Sequence, residues 1–422
     1  MKPLIIHGDA RHLPLEDASI DLIVTSPPYF GLRSYTDGGQ HYDRQIGSEA
    51  TPAEWLANLI DCTREWVRVL KPSGSLFVNL GDKYASTSAG SYWHTASLDG
   101  GRGRLPELHA NQVIAPRLRP GLPDKCLLGM PWRYALAATD QLGLILRAEI
   151  IWAKPNGLPE SVTDRVRRAH EQMFHFTLQP RYYAAVDEIR EPAYAPHRSR
   201  PGILETDRDR RNGQFQVNAM FTGQRERVYN PLGKLPGSVW SIPSAPLTIP
   251  AHLGIDHFAA FPPALVRPIV LGWSPPGVCT ACGEGRRPLA VSEEIPGPWS
   301  EGSICGKRNG LTSKGDITGL SYGMAGKRRF PQATTITGYA CACGRPDAPS
   351  RPAVVLDPFG GTGTTALVAS VHGRHGISVD LSADYCRLAA WRCHDPGERA
   401  RAADVPKPPA VPDGQEPLFE LG

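Results

Sequence analysis

A glycine-rich turn between a short apolar run and a helical pattern restricts the fold more than any other feature of this chain. Residues 353–356 are apolar, and residues 357–365 follow with the sequence DPFGGTGTT. The glycines permit close backbone approach to a ligand, and the N-terminus of the helix predicted over residues 364–371 faces it. The spacing is not a dinucleotide fingerprint, because Ala366 stands where its third glycine belongs, and no Gly-Lys-Ser/Thr of a P-loop follows. The pattern predicts a strand, a ligand-binding turn and a helix.

The next predicted strand leads into an acidic residue. Residues 376–379 are predicted as this strand, and Asp380 follows directly. An acidic side chain at this place in an α/β sheet commonly binds ribose hydroxyls. A nucleoside-containing ligand is therefore expected, with a tight strand–helix turn that binds nothing as the alternative.

Strand and helix patterns alternate along much of the remaining chain. Strands are predicted over residues 4–6, 20–24, 75–80, 144–152 and 172–177. Helices are predicted after the capping box Thr51-Pro52-Ala53-Glu54 and over residues 382–393. This alternation predicts an α/β fold with a doubly wound sheet.

A second motif, Ser26-Pro27-Pro28-Tyr29, follows the strand predicted over residues 20–24. The two prolines stiffen the turn and remove two backbone donors, so nearby carbonyls stay free to accept hydrogen bonds. Ser26 and such a carbonyl could accept from an exocyclic amino group, and Tyr29 could stack on a base taken out of a duplex. The alternative is an ordinary Pro-Pro turn with a packed tyrosine.

Together the two motifs resemble those of the amino-methylating, site-specific DNA methyltransferases. The order matches the permuted, or beta, class, in which the catalytic motif SPPY precedes the cofactor motif DPFxGxGTT. Other similar segments follow in order, at residues 7–10, 69–74, 77–82, 151–156, 160–165 and 257–262. The resemblance covers residues 4–84, 122–192, 237–275 and 352–393.

The resemblance implies a circularly permuted, Rossmann-like sheet that binds S-adenosyl-L-methionine. The implied catalytic residues are Ser26, Pro27, Pro28 and Tyr29. The implied cofactor residues are Asp9, Phe261, Asp357, Phe359, Gly361, Gly363 and Asp380. Asp380 would hold the ribose hydroxyls, Asp9 the adenine amino group, and Phe261 would pack near the methionine moiety. For Asp9, a solvent-facing turn carboxylate is the alternative.

The implied reaction is methyl transfer to the exocyclic N4 of cytosine in double-stranded DNA by base flipping. Adenine enzymes of the family mostly carry Asp or Asn where Ser26 stands, which leaves N6 of adenine as the alternative. A non-catalytic DNA-binding protein and a nucleotide-dependent oxidoreductase are further alternatives, and the latter lacks its fingerprint. Methylation of a ring carbon would need a nucleophilic cysteine, typically after a proline, and no Pro-Cys pair occurs. A cognate restriction endonuclease is a candidate partner.

The cysteines predict a metal site and a reducing compartment. Their number is nine, no apolar signal segment opens the chain, and no run approaches the roughly 20 apolar residues of a membrane span. A cytoplasmic protein without membrane contact is expected. Four cysteines form two close pairs, typical of a structural zinc site: Cys279, Cys282, Cys341 and Cys343. Cys305 is an alternative ligand, and unliganded thiols are the other alternative.

The domain organisation follows from these assignments. Residues 1–192 form the catalytic half with a loop insertion at 85–120, residues 239–276 return to the core, and residues 351–396 form the cofactor half. Residues 277–350 are predicted as a zinc-ribbon-like insertion and residues 397–422 as a disordered tail. The net charge of +4 permits an anionic partner. Residues 193–238 form a basic insertion, a candidate for target recognition or a solvated loop, with Arg198, Arg200, Arg208, Arg210, Arg211, Arg225 and Arg227.

Overall fold

The computed structural model of the protein describes most of the two predicted halves. The described residues are 2–31, 36–37, 40–41, 45–85, 122–157, 159–191, 233–255, 261–294, 332–341, 343, 345 and 347–408. Nearly all of the predicted loop at 85–120, the arginines of the basic insertion and Cys305 lie outside these residues.

Six helices and fourteen strands are found in this part of the chain. The helices are α1 (Pro52–Val69), α2 (Met130–Leu142), α3 (Pro263–Trp273), α4 (Thr364–Val371), α5 (Ala383–His394) and α6 (Pro396–Ala403). The strands are β1 (Leu4–His7), β2 (Ile20–Thr25), β3 (Thr36–Asp37), β4 (Gln40–His41), β5 (Leu70–Leu80), β6 (Ile145–Ala153), β7 (His170–Thr177), β8 (Val239–Ser241), β9 (Val278–Cys279), β10 (Arg287–Glu294), β11 (Gln332–Ala340), β12 (Ser350–Arg351), β13 (Val354–Asp357) and β14 (His375–Asp380).

An eight-stranded sheet in the order β1-β14-β13-β2-β5-β7-β6-β8 forms the centre of the fold. The strands from β1 to β5 in this order are parallel. Strand β7 is antiparallel to both β5 and β6, whereas β8 is parallel to β6. The predicted α/β sheet is therefore mostly parallel rather than wholly so. Residues 154–169 return the chain from β6 to its neighbour β7 as a hairpin, a connection that gives antiparallel strands.

The sheet order brings the two motifs together. The late strands β13 and β14 lie between β1 and β2, with Leu356 of β13 opposite Ile23 of β2. Both strands run in the same direction, so their carboxyl ends, Thr25 and Asp357, meet at one edge of the sheet. Ligands of open α/β sheets bind at this edge.

Helices cover both faces of the sheet and create two apolar clusters. Ile23 faces the cluster that contains Trp55 and Trp66 of α1. Its neighbours Leu22 and Val24 face the cluster of α3 and α4, since successive strand residues point to opposite faces. Helix α1 begins with the predicted capping box of Thr51 and Glu54, which is confirmed. The core thus holds the carboxyl edge of β2 and β13 rigidly from both sides.

The disordered tail predicted from residue 397 is wrong for its first residues, because α6 lies there. Asp395 caps this helix by accepting a hydrogen bond from the backbone N–H of Glu398, and a proline occupies the first turn. The Glu398 carboxylate pairs with the buried Arg392 at 2.8 Å. Arg392 also donates to the carbonyl of Thr362, which connects this helix pair to the glycine-rich turn. Residues 409–422 lie outside the described part.

The chain divides into two compact units. The first unit contains residues 1–189, 237–287 and 341–422, and it holds the large sheet. The second unit contains residues 190–236 and 288–340, with the strand pair β10–β11 and an ion pair between Glu191 and Lys234. The insertion predicted as one module over residues 277–350 is thereby split, since its two ends belong to the first unit. In the described ranges, no helix has both the length and the apolar character to cross a membrane.

Candidate active site

A cavity of about 250 Å³ in the first unit collects residues of both motifs. The predicted residues that line it are Asp9, Ser26, Pro27, Pro28, Tyr29, Phe261, Phe359, Gly361 and Asp380. Further lining residues include Arg11, Asn79, Trp152, Lys154, Glu171 and Tyr385. The catalytic and cofactor halves predicted from sequence therefore border one cavity.

The Ser26–Tyr29 turn directly follows β2 and is held in place by neighbouring backbone and indole groups. The indole N–H of Trp55 donates to the carbonyl of Pro28 at 3.0 Å. The ring of Tyr29 packs on Gly81, where a Cβ atom would lie 2.6 Å from the tyrosine Cε2. The position beside the tyrosine ring therefore requires a glycine. Because Trp55 already donates to the Pro28 carbonyl, the Pro27 carbonyl is the acceptor of the turn to consider.

The Tyr29 hydroxyl lies at the centre of a hydrogen-bond network. It donates to the Glu171 carboxylate at 2.8 Å and accepts from the side-chain amide of Asn79 at 2.7 Å. The Ser26 hydroxyl lies 3.1 Å from the Tyr29 oxygen. The same Asn79 amide also donates to Glu171 at 2.7 Å. Side chains from β5 and β7 thus hold both hydroxyls of the motif at the cavity.

Glu171 is a charged residue at the start of β7, and it has a positive partner. The Lys154 ammonium forms an ion pair with its carboxylate, and also lies 4.1 Å from the centre of the Trp152 ring. Burial raises the pKa of Glu171, but the charge of Lys154 and the hydrogen bonds from Lys154, Asn79 and Tyr29 outweigh burial and lower that pKa below its usual range. The carboxylate is therefore ionised and acts only as an acceptor.

The glycine-rich turn and Asp380 also line the cavity. The Asp380 carboxylate accepts from the backbone N–H of Gly361 at 2.7 Å and from that of Ser382 at 2.8 Å. Gly361 has a φ of +49°, in the left-handed region that favours glycine. The acidic side chain at the end of β14 is thus held rigidly while it still faces the cavity.

Asp357 and Gly363, two of the predicted cofactor residues, do not line the cavity. Asp357 is 1% exposed, and its carboxyl accepts from the backbone N–H of Phe359 and the hydroxyl of Thr365. Burial raises the pKa of Asp357 to about 7, although these hydrogen bonds oppose the rise. Gly363 packs on α5, where a Cβ atom would lie 2.7 Å from that of Ala389. Both residues support the glycine-rich turn through buried contacts and do not face the cavity.

Asp9 follows β1 and has a partner that sequence reasoning missed. Its carboxylate pairs with the guanidinium of Arg11 at 2.5 Å and accepts from the Arg11 backbone N–H at 2.9 Å. Burial raises the pKa of Asp9, but the Arg11 hydrogen bonds outweigh this effect and lower it. Asp9 is an ionised carboxylate that lines the cavity, and Phe261, just before α3, lines it too.

Comparison with known proteins assigns the chain to a family. A family model described as DNA methylase, of N6 and N4 methyltransferases, matches residues 20–280 and 350–390. The chain belongs to this DNA methylase family. It is therefore a DNA methyltransferase of the group that methylates exocyclic amino groups.

Two relatives of this DNA methylase come from bacteria. It is 36% identical to the Type II methyltransferase M.SmaI of Serratia marcescens, over 65% of this chain and 76% of that protein. It is 33% identical to the Type II methyltransferase M.Cfr9I of Citrobacter freundii, over 65% of this chain and 73% of that protein. Among solved structures it is similar to the PvuII DNA methyltransferase, described as cytosine-N4-specific, with a TM-score of 0.49 and 15% identity over 96% of this chain and 91% of that chain.

The four predicted zinc ligands of the methylase lie together in the first unit. The sulfur atoms of Cys279, Cys282, Cys341 and Cys343 are all within 4.8 Å of one another. The backbone N–H groups of Cys282 and Ala281 lower the pKa of the Cys279 thiol to about 6. Four thiol sulfur atoms in such a close group are suited to bind a soft divalent metal.

Asn79, Lys154 and Glu171 are the methylase site residues that sequence reasoning did not assign. Lys154 and Asn79 stood in segments similar to the family, at 151–156 and 77–82, but without a role. Asn79 and Glu171 are polar residues within or beside otherwise apolar runs, at 75–80 and 172–177. A polar side chain in a buried strand was the signal that could have identified both, because such groups need partners.

Proposed function

We propose that this DNA methylase transfers a methyl group from S-adenosyl-L-methionine to the exocyclic N4 of cytosine at a specific site in double-stranded DNA. One observation carries the proposal: Ser26, a small hydroxyl acceptor for an amino group, borders the same cavity as Gly361 and Asp380. The strand order, with the late β13 beside the early β2, supports a circularly permuted arrangement of the two halves.

The cavity wall at Asp380 fits a nucleoside cofactor. The Asp380 carboxylate, a group that only accepts hydrogen bonds when ionised, lines the cavity and is held there by the N–H groups of Gly361 and Ser382. Asp380 would therefore accept from ribose hydroxyls, while Asp9 would accept from the adenine amino group and Phe261 would pack near the methionine end. When bound, S-adenosyl-L-methionine supplies an electrophilic methyl group on a sulfonium.

The base pocket acts by positioning. Ser26 and the Pro27 carbonyl would accept hydrogen bonds from the amino group of a flipped base and direct its lone pair toward the cofactor side. The ring of Tyr29 would stack on the base. Because a sulfonium methyl group is strongly electrophilic, no covalent nucleophile of the protein is needed, and orientation provides most of the rate.

Product analysis tests this proposal. The protein is incubated with labelled cofactor and duplex DNA, the DNA is digested, and the nucleosides are identified by mass spectrometry. N4-methylcytosine is expected, and Ser26→Ala should lower its yield sharply while leaving cofactor affinity unchanged. N6-methyladenine as the sole product would overturn the cytosine assignment. Cofactor binding without any DNA methylation would instead favour a non-catalytic DNA-binding protein.

A restriction endonuclease is the proposed biological partner. The support is that the relatives M.SmaI and M.Cfr9I are named Type II methyltransferases. Sequencing the methylated bases in DNA from an expressing host would define the site. DNA methylated by this protein should then resist an endonuclease that cleaves at the same site.

We also propose that Cys279, Cys282, Cys341 and Cys343 hold one structural zinc ion. With Zn–S bonds of about 2.3 Å, a tetrahedral site requires sulfur atoms about 3.8 Å apart. The sulfur atoms of Cys279 and Cys343 are 3.9 Å apart, and those of Cys341 and Cys343 are 3.3 Å apart. The ion would join the end of β9 and the turn after it to the chain before β12, and these two short strands pair with each other.

A further inference from the structure

The hydrogen-bond network around Tyr29 has a defined direction. Tyr29 has one hydroxyl proton, and the ionised Glu171 can only accept, so this proton points to the carboxylate at 2.8 Å. The side-chain amide nitrogen of Asn79 can only donate, so it fills one acceptor position of the tyrosine oxygen at 2.7 Å. The Tyr29 oxygen also lies 3.1 Å from the Ser26 hydroxyl oxygen.

The direction of the Ser26–Tyr29 hydrogen bond follows from this proton count. Because the tyrosine proton is committed to Glu171, the hydroxyl of Ser26 must be the donor in their shared bond. The proton of Ser26 therefore points toward Tyr29. Its oxygen, which the Asn79 amide nitrogen approaches at 3.5 Å, lines the cavity as an acceptor. Ser26 thus donates to Tyr29, and Tyr29 donates to Glu171, which only accepts.

This direction is the one that an amino group requires. The exocyclic amino group of a base offers N–H donors, so a hydroxyl that oriented it by donating would compete for the lone pair that must attack the methyl group. A Ser26 hydroxyl that donates to Tyr29 and only accepts from the amino group would leave this lone pair free. Glu171 determines whether the Ser26 hydroxyl donates to the amino group or accepts from it. Glu171 acts on Ser26 through the Tyr29 hydroxyl.

We propose that Glu171 is a positioning residue for methyl transfer: its carboxylate takes the Tyr29 proton and thereby holds Ser26 as an acceptor for the target amino group. This inference rests on the proposed function and adds a specific role for a residue of β7. Lys154 keeps the carboxylate charged, and the ring of Trp152 beneath its ammonium holds that partner in place. Hydrogen bonds to charged groups are stronger than those between neutral groups, so the direction of the hydrogen bonds from Ser26 through Tyr29 to Glu171 is stable.

The proposal gives the hydroxyl of Tyr29 a role in the reaction that is separate from the stacking role of its ring. If the tyrosine only stacks on the base, removing the hydroxyl leaves the stacking surface and the rate intact. If the hydroxyl transmits the effect of Glu171, Tyr29→Phe should lower kcat about tenfold, which corresponds to the loss of one orienting hydrogen bond. The Kd for S-adenosyl-L-methionine should not change, because Tyr29 and Glu171 lie on the base side of the cavity.

The experiment is a double-mutant cycle on kcat with Tyr29→Phe, Glu171→Gln and the double variant. Glutamine is neutral and can donate to Tyr29, so Glu171→Gln should lower kcat to a similar extent. The double variant should be no slower than Tyr29→Phe, since Glu171 acts through that hydroxyl. The matched control is Tyr134→Phe, which removes the buried hydroxyl that contacts Thr63 in the core and should leave kcat unchanged.

Full kcat in Tyr29→Phe would overturn the proposal, and so would losses that multiply in the double variant. If Glu171→Gln does not fold, as judged by its thermal transition, Tyr29→Phe against Tyr134→Phe decides alone. Failure of the proposed function has a different signature: the unaltered protein would transfer no methyl group to cytosine. The two ideas are therefore tested separately.

Discussion

Gly81 is a position where the addition of a single methyl group should strongly lower methyl transfer. A Cβ atom there would lie 2.6 Å from Cε2 and 2.8 Å from Cδ2 of Tyr29. Carbon atoms in contact are normally about 3.5–4.0 Å apart, so in Gly81→Ala the ring must move by about 1 Å. The ring cannot move that far without disturbing its hydrogen bonds to Glu171 and Asn79.

This displacement gives the expected loss of reaction rate and of stability. A misplacement of about 1 Å in an active site can lower the rate about 100-fold, which is about 2.7 kcal/mol of transition-state stabilisation. Overpacking should also cost about 1–3 kcal/mol of stability. The assay is kcat for methyl transfer to duplex DNA, with cofactor binding measured by calorimetry, and binding should persist because Gly81 lies on the base side.

Gly237→Ala is the matched control, because a Cβ atom at Gly237 would meet nothing within 4 Å. This variant should retain both the rate and the thermal stability of the unaltered protein. A Gly81→Ala protein with full kcat would show that the position of the Tyr29 ring does not limit the reaction, and the base-pocket assignment would be refuted.

Three further predictions concern the cofactor turn, the metal and the buried acid. Gly361→Val should abolish S-adenosyl-L-methionine binding in calorimetry, since a branched side chain strains a residue with φ of +49° at the cavity wall; unchanged affinity would remove Gly361 from the cofactor site. Fresh, reduced protein should contain about one zinc per chain by metal analysis, with Cys279→Ser and Cys343→Ser losing it and Cys126→Ser keeping it. Because burial raises the pKa of Asp357 to about 7, above its value in the unfolded chain, its contribution to stability is greatest below the unfolded pKa and is lost as the pH rises toward 7. Asp357→Asn should therefore raise Tm relative to the unaltered protein more at about pH 8 than at about pH 5, and equal shifts would contradict a buried neutral carboxyl.

Much of the secondary structure around the cavity could be predicted, because it depends on local patterns. The helix expected over residues 364–371 is α4 with the same bounds, since a glycine turn and an apolar run define both of its ends. The helix after Thr51 begins as expected because its capping box is local. The helix α6 was missed although Asp395 and the proline after it form a start signal, because the proline-rich sequence further on dominated the interpretation.

The directions of β6 and β7 could not be predicted in the same way. Apolar runs identify strands but carry no information about direction, which depends on the partner strand and the connection between them. For the same reason the sequence could not indicate that β7 would lie beside β5 and bring Glu171 to Tyr29 across 142 residues.

The sequence by itself determined the two motifs, the strand–turn–helix units that carry them and the pairs of cysteines, because these depend on residue type and short spacing. Only the tertiary structure decided which side chains face the cavity. Asp357 and Asp380 both end strands, yet the first is buried behind the glycine turn and the second lies on the cavity wall. Strand order and helix packing set this difference, since a side chain's exposure and charge depend on neighbours that are distant in sequence.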